Sequence, residues 1–365
     1  MPQLSRRAFT QLLGSAAAVV AFPLPLAARP GLASGTVRLS ANENPYGPPA
    51  VALQAMRDAF PVVSRYPDAA VDDLVGQIAK LHGVSERQVL LGDGSSEILK
   101  IAASAYLSPS RALVVADPTF EALAIAAGTM GAEVRKVPLA TSYAHDVTKM
   151  AGAARGAGLV YVCNPNNPTA TITPDKDLRS FIASVPADTG ILVDEAYHHY
   201  ATSSDYASVM DLVAKRPNLI VSRTFSKIYG MAGLRCGYCV AQEDTIRKLA
   251  AQQAWDTVNI MALVAARASL GDERHVADHR RRNSETKAWL RQSVERLGYR
   301  MLPSEANFVM IDVKRDVKPM IASMRASGVA VGRLFPAMPQ HMRVTIGTPD
   351  EMRRFAEALA KLQNA

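Results

Sequence analysis

The chain has 365 residues, 48% of them hydrophobic and 20% charged, enough for a large core in one big domain plus a smaller one. No long stretch is poor in apolar residues, which excludes a disordered domain. The formal net charge is +8, and three of those charges (Arg6, Arg7 and Arg29) lie in an acid-free N-terminal segment; the remaining +5 suits anionic small molecules and is too small to argue for nucleic acid.

Residues 1–33 read as a signal peptide. Ser5-Arg6-Arg7-Ala8-Phe9 precedes an apolar run over 12–22, then small residues and prolines. The arginine pair resembles a twin-arginine export signal, which implies the twin-arginine machinery and a periplasmic or exported location. The plainer alternative is an uncleaved tail on a cytoplasmic protein. The apolar run is too short to span a bilayer comfortably and no other stretch is long enough, so no stable membrane insertion is expected.

Residues 34–60 are assigned to the start of a small domain, 61–280 to a large domain and 281–365 to the rest of the small one. Within the large domain, apolar runs at 112–115, 159–162, 191–193 and 219–221 are each followed at once by a polar cluster. Helical patterns such as 98–106 and 177–183 separate them. Continuous apolar strands alternating with helices predict an α/β fold with a mostly parallel sheet covered on both faces. Ligands of such sheets bind beyond the carboxyl ends of the strands, and four polar clusters there argue for one shared site. The basic cluster Arg280-Arg281-Arg282, Lys287, Arg291 and Arg296 is interleaved with apolar residues near helical spacing and reads as the wet face of an amphipathic helix.

The last third has shorter, more alternating runs at 308–313, 329–333 and 342–346, then a helical stripe over 351–362, which predicts a smaller α+β domain. Cys236 and Cys239 have metal or redox spacing. On a strand, however, residues three apart point to opposite faces, and no second pair completes a zinc site, so they read as packing thiols with no metal.

Three strand ends carry the chemistry. Asp194 closes a buried strand and needs a cationic or hydrogen-bonding partner, either a ligand or a nearby arginine. Lys227 follows another strand, with Thr224 and Ser226 before it and Arg235 after it. Gly92-Asp93-Gly94-Ser95-Ser96-Glu97 opens a helix, where the serines would cap it and free amides would face an anion, or would form a capped loop with no ligand. These are the parts a pyridoxal-phosphate site requires: an amine for the aldehyde, a carboxylate for the ring nitrogen, and amides, hydroxyls and an arginine for the phosphate. Tyr197 and Asn167 would reach the ring oxygen. Arg235 would disfavour a charged Lys227 and so assist it as a nucleophile.

Asn164-Pro-Asn-Asn-Pro-Thr169, Asp194-Glu-Ala-Tyr197, Ser226-Lys227 and Ala232-Gly-Leu-Arg-Cys-Gly237 occur in that order and closely resemble the histidinol-phosphate aminotransferase branch of the fold-type I pyridoxal-phosphate enzymes. Ala41-Asn-Glu-Asn-Pro-Tyr-Gly47 and Arg65-Tyr-Pro-Asp68 match the same pattern, so the resemblance runs from about residue 38 to the end. It implies Lys227 as the Schiff-base lysine, Asp194 at the pyridine nitrogen, Tyr197 and Asn167 at the ring oxygen and Phe120 stacked on the ring. Gly94, Ser95, Ser96, Thr224, Ser226 and Arg235 would hold the phosphate. Tyr66 would reach the cofactor of the second subunit of a homodimer. Arg343 would take the substrate's anionic group, with Arg333 as a second contact and Asn42 beside the substrate.

The chain departs from that pattern at Ala170, where the family usually has glycine, in the loose match of Arg333, and in the export signal. The expected reaction moves an amino group between an amino acid, or an amino-alcohol phosphate such as histidinol phosphate, and a 2-oxo acid. Decarboxylation, racemisation or elimination on the same scaffold, and cofactor binding without catalysis, are the alternatives.

Overall fold

The structure is a computed structural model that describes residues 35–363. The predicted signal segment lies outside the described residues. From Thr36 the chain forms one compact unit.

It opens with a two-residue strand, β1 (Val37–Arg38), then helices α1 (Ala50–Ala59) and α2 (Asp68–His82). Next come β2 (Val89–Gly92), α3 (Ser95–Tyr106), β3 (Ala112–Asp117), α4 (Ala122–Thr129) and β4 (Val134–Pro138). Helix α5 (Val147–Ala153), β5 (Ala157–Cys163), α6 (Asp175–Ser184), β6 (Gly190–Asp194), β7 (Leu219–Thr224) and β8 (Gly237–Val240) complete a seven-stranded sheet of order β2-β8-β7-β6-β5-β3-β4. Only β8 runs antiparallel to its neighbours. This is the α/β, mostly parallel sheet that the apolar runs predict.

Alternation along the strands shows why both faces are apolar. Val114, Val160, Val162, Ile191, Val193 and Val221 join one core cluster, while Leu113, Val115, Leu159, Leu192 and Ile220 join another on the opposite side. Cys236 and Cys239 fall into these two different clusters and are free buried thiols, as their spacing on a strand requires.

Helices α7 (Glu243–Ala250), α8 (Ile260–Leu270) and α9 (Glu273–Arg296) follow. The chain ends with β9 (Arg300–Met301), β10 (Phe308–Asp312), α10 (Val317–Ala326), β11 (Val329–Ala330), β12 (His341–Thr345) and α11 (Pro349–Gln363). Strands β12-β10-β9 form an antiparallel sheet, and β1 pairs with β11. Val37, Leu39, Leu290, Val294, Met342, Val344 and Phe355 share a third core cluster beside these strands.

Two features of the packing bear on the boundaries expected from sequence. Helix α1 packs on α8, and its Ala52 belongs to the large core, so only the residues before it join the smaller one. The boundary set near residue 280 lies inside α9, which is continuous for 24 residues. Its basic face is also less wet than the sequence suggests: Arg280 donates to His199 O at 2.6 Å and Lys287 to Ser304 O at 2.6 Å.

Candidate active site

Strands β5, β6 and β7 end together: Cys163 pairs with Asp194, and Asp194 pairs with Ser222. That register brings the polar residues following each strand to one edge of the sheet. There a cavity of about 290 Å³ is lined by Asn42, Ser95, Ser96, Phe120, Asn167, Asp194, Tyr197, Thr224, Ser226, Lys227, Arg235 and Arg343. Residues up to 301 positions apart in sequence thus converge on a space at the small end of ligand pockets. A larger open groove of about 820 Å³ between α1, α2 and α8 contains none of them.

Asp194 is 2% exposed. Its Oδ2 accepts from the Tyr161 hydroxyl at 3.0 Å and its Oδ1 from the Ala196 N–H at 3.1 Å. No arginine pairs with it among the described residues. The arginine that a buried carboxylate could be expected to recruit, Arg223, instead binds the neighbouring Glu195 through Nε at 3.0 Å and Nη2 at 2.8 Å. Burial pushes the Asp194 carboxyl up to about 6, opposed by the Tyr161 and Ala196 hydrogen bonds and by the Lys227 charge. An enclosed carboxylate with donors but no ion pair is suited to a cationic ring nitrogen.

Lys227 Nζ donates to Asn42 O at 3.1 Å. Burial lowers its pKa to about 8; Arg343 is the next cause, and Arg235, to which the sequence assigned this role, is a smaller one behind the opposing Glu43 and Asp194. A lysine with its pKa lowered this far has a usable neutral fraction at mildly alkaline pH and can act as a nucleophile.

The anion cradle is built at the start of α3. Gly94 occupies the N-cap position at φ 71° with no side-chain cap, so Ser95 and Ser96 are the first residues of the helix rather than its caps. Their amides are among the unpaired donors of a helix N-terminus. A Cβ on Gly94 would collide with the Arg235 guanidinium, and one on Gly237 would collide with the Ser95 amide nitrogen. Ser226 N donates to Thr224 Oγ1 at 3.1 Å, and Arg235 Nη1 lies 3.5 Å from Ser226 Oγ. Two glycines, three serines, a threonine and an arginine therefore surround one spot suited to a phosphate.

The opposite side carries further polar groups. The Tyr197 hydroxyl accepts from Asn42 Nδ2 at 3.0 Å, which leaves its own proton to donate. Asn167 Oδ1 accepts from Arg343 Nη1 at 2.7 Å, which leaves its amide NH2 as the donor. Arg343 Nη2 donates to Ser40 O at 2.9 Å, and its buried Nε has no protein partner. Burial lowers the Arg343 guanidinium to about 10, a sign that this cation lacks a full counter-charge.

Three residues expected in the site stand outside the cavity lining: Gly94, which sits behind it at the N-cap of α3, Arg333 and Tyr66. Arg333 is half exposed, pairs with Glu121 and lies over the Phe335 ring, 4.4 Å from its centroid. Tyr66 is 80% exposed on the protein surface. Sequence reasoning missed Tyr161, the Glu195–Arg223 pair, and the lining contributed by Ala41, Cys163 and Ala232. Tyr161 carried a signal, because a tyrosine two residues before the end of a buried strand must place its hydroxyl against a polar neighbour. Ala170 adopts φ 64°, which explains on steric grounds why glycine suits that turn.

The pattern of a family described as Aminotransferase class I and II matches residues 34–359. The chain is 41% identical over 330 residues to a histidinol-phosphate aminotransferase of Moorella thermoacetica, covering 89% of this chain and 85% of that one. It is 40% identical over 328 residues to histidinol-phosphate aminotransferase 2 of Pseudomonas fluorescens, covering 89% and 88%. The crystal structure of histidinol-phosphate aminotransferase from Sinorhizobium meliloti in complex with pyridoxal-5'-phosphate superposes with a TM-score of 0.84 over 100% of this chain and 95% of that one, at 24% identity, a likeness of fold.

Proposed function

This chain belongs to the class I and II aminotransferase family and is a pyridoxal-phosphate-dependent aminotransferase, and from that premise we propose that its amino donor carries an anionic group bound by Arg343. The observation that carries the proposal is the buried Arg343 guanidinium, which lines the cavity with its Nε unpartnered. Histidinol phosphate is the first donor to test, since it is named for relatives that share about two fifths of the sequence.

Bound in this cavity, pyridoxal phosphate supplies an aldehyde for the amine and a protonated ring that accepts an electron pair. Ser95 and Ser96 amides, the Thr224 and Ser226 hydroxyls and Arg235 bind its phosphate. Asp194 holds the proton on the ring nitrogen, and Tyr197 Oη with Asn167 Nδ2 donate to the ring oxygen. Lys227 Nζ would accept the proton that leaves the donor's amine-bearing carbon and hold it for transfer. Arg343 would orient the donor by its anion, and would do the same for an anionic 2-oxo acid acceptor.

Replacing Arg343 with alanine removes a desolvated cation, and losing one partner of such a pair costs about 2–5 kcal/mol. The donor KM should rise roughly 30-fold or more on that scale. Purified enzyme titrated with single donors, followed by loss of the lysine-bound cofactor absorbance, gives the comparison. Equal titration curves for the two proteins with every accepted donor would put Arg343 outside the substrate site.

The proposed assembly is a homodimer. The open groove between α1, α2 and α8 lies beside exposed Phe60, Val62 and Val63, and Tyr66 follows on the same stretch. Burying these apolar side chains against a second copy is favourable, and it would carry Tyr66 to the neighbouring cofactor. Sedimentation should give the mass of two chains; an active monomer would dismiss the arrangement.

We further propose that the Arg6-Arg7 segment exports the enzyme already folded and loaded. Its three cysteines are buried and unpaired, so no disulfide requires folding outside the cytoplasm. Changing both arginines to lysine should retain active, unprocessed, cofactor-bearing protein in the cytoplasm. Fractionation of cells with N-terminal sequencing decides it: unaltered protein found in the cytoplasm with an intact N-terminus rejects export.

A further inference from the structure

The loop that carries Lys227 is fixed from behind by residues that do not line the cavity. Ile228, the next residue, is 1% exposed, so its carbonyl has no access to water. That oxygen accepts two hydrogen bonds, from Asn44 Nδ2 at 2.8 Å and from His275 Nε2 at 3.0 Å. Both lone pairs are used, and both donors come from distant parts of the chain.

The protonation pattern follows from the partners. A carbonyl only accepts, so His275 Nε2 carries a proton. Asn44 Oδ1 accepts from Tyr46 N at 3.1 Å, which orients the amide and leaves Nδ2 as donor. The second Nδ2 hydrogen points to His279 Nδ1 at 2.7 Å, so that nitrogen is the acceptor and the His279 proton lies on Nε2. His275 and His279 are one turn apart on α9 with ring centroids 3.8 Å apart. Farther along the loop, a Cβ on Gly230 would collide with the Gly47 carbonyl, so the backbones of 44–47 and 228–230 touch.

We propose that Asn44 and His275 are positioning residues for Lys227, and that His279 keeps Asn44 in its donating orientation. Lys227 must serve twice, first as the amine that holds the cofactor and then as the carrier of a proton, and each role demands a different placement of Nζ. A flexible four-carbon side chain meets both demands only if its Cα stays fixed, and the anchored Ile228 carbonyl fixes it. Because α9 also places Leu290 and Val294 in the smaller core, His275 ties the lysine loop to that part of the molecule.

The inference rests on Lys227 as the cofactor-binding amine, and the experiment separates the two claims. Holoenzyme carrying His275→Leu is compared with His275→Gln, whose amide keeps an N–H donor at similar reach. With leucine, kcat per bound cofactor should fall about tenfold or more while the donor KM changes less than about twofold, since slight misplacement of a reacting group affects the chemical step. The pH midpoint of the bound cofactor's absorbance should shift in the same variant, and glutamine should restore both readings. Asn44→Ala gives the same two readings if the leucine variant does not fold. Unchanged kcat and midpoint, or a glutamine variant as impaired as leucine, would overturn the positioning role. Borohydride reduction of the same samples tests the underlying assignment: a label on another lysine removes Lys227, whereas a label on Lys227 with unchanged kcat removes only the positioning.

Discussion

Lys227→Ala protein should fold, show no turnover with any donor, and carry no pyridoxyl group after borohydride reduction. Folding should survive because Asn42 O, which accepts from the lysine, also receives Asn307 Nδ2 at 3.1 Å and is not orphaned by the change. Turnover should vanish because no other lysine lines the cavity. The lowered pKa adds a second reading. Only the neutral amine attacks an aldehyde, and burial together with Arg343 brings Lys227 down to about 8 from the ordinary 10.5. Capture of pyridoxal phosphate by cofactor-free protein should therefore rise with pH through a midpoint near 8, and that phase should be absent in the alanine variant. A pyridoxyl group mapped to a different lysine in the unaltered protein would refute the assignment.

The strand ends were legible because a parallel sheet buried on both faces leaves few places for polar residues, and four clusters in succession marked one edge. The roles inside that edge were less legible. Asp194 and Glu195 are adjacent acids, and sequence alone offers either a ligand or an arginine as partner for the first. The chain uses both solutions: Asp194 turns to Tyr161 and the cavity, and Glu195 turns to Arg223, Ser208 and the Val209 amide. Which acid faces which way depends on strand order and pleat, and neither is written in local pattern. The partner of helix α1 is illegible for a similar reason, since a short apolar stripe says that a helix packs and not against what; here Ala52 joins the large core. Lys287 and Arg280 were read as solvated because long basic side chains usually are, yet backbone carbonyls within reach draw them inward.

The three segments that meet at Lys227 also explain why the N-terminal Asn42 to Gly47 motif accompanies the lysine motif in sequence. Asn42 supplies a carbonyl to Lys227 and an amide to Tyr197, while Asn44 supplies the amide to Ile228. Thr345 in β12 closes the circuit by accepting from Asn42 N at 2.9 Å. The short N-terminal segment thus links the lysine loop to the strand that bears Arg343, so the two ends of the cavity, marked by Lys227 and Arg343, share one support.

Asp194→Asn should fold and retain cofactor, yet turn over more slowly by roughly 10³-fold or more, because each pKa unit lost from the ring nitrogen is worth about 1.4 kcal/mol and several are at stake. Asparagine is the sharper test than alanine, since it keeps the shape of the side chain, an oxygen for the Ala196 N–H and an NH2 that can donate to the Tyr161 hydroxyl oxygen, and so opens no cavity. What it removes is charge. In the cofactor-free protein that charge is costly, as the rise of the Asp194 carboxyl to about 6 by burial shows. A protonated ring nitrogen relieves the cost by pairing with it, and the same pairing keeps the ring protonated and able to accept electrons. A neutral amide offers the nitrogen no such reason to hold its proton, while the phosphate cradle formed by α3, Thr224, Ser226 and Arg235 is untouched and still retains the cofactor. Turnover should be measured per bound pyridoxal phosphate, with occupancy read from absorbance. A fully loaded Asp194→Asn enzyme working at near-normal rate would show that Asp194 is a packing residue and that the ring nitrogen is protonated by something else.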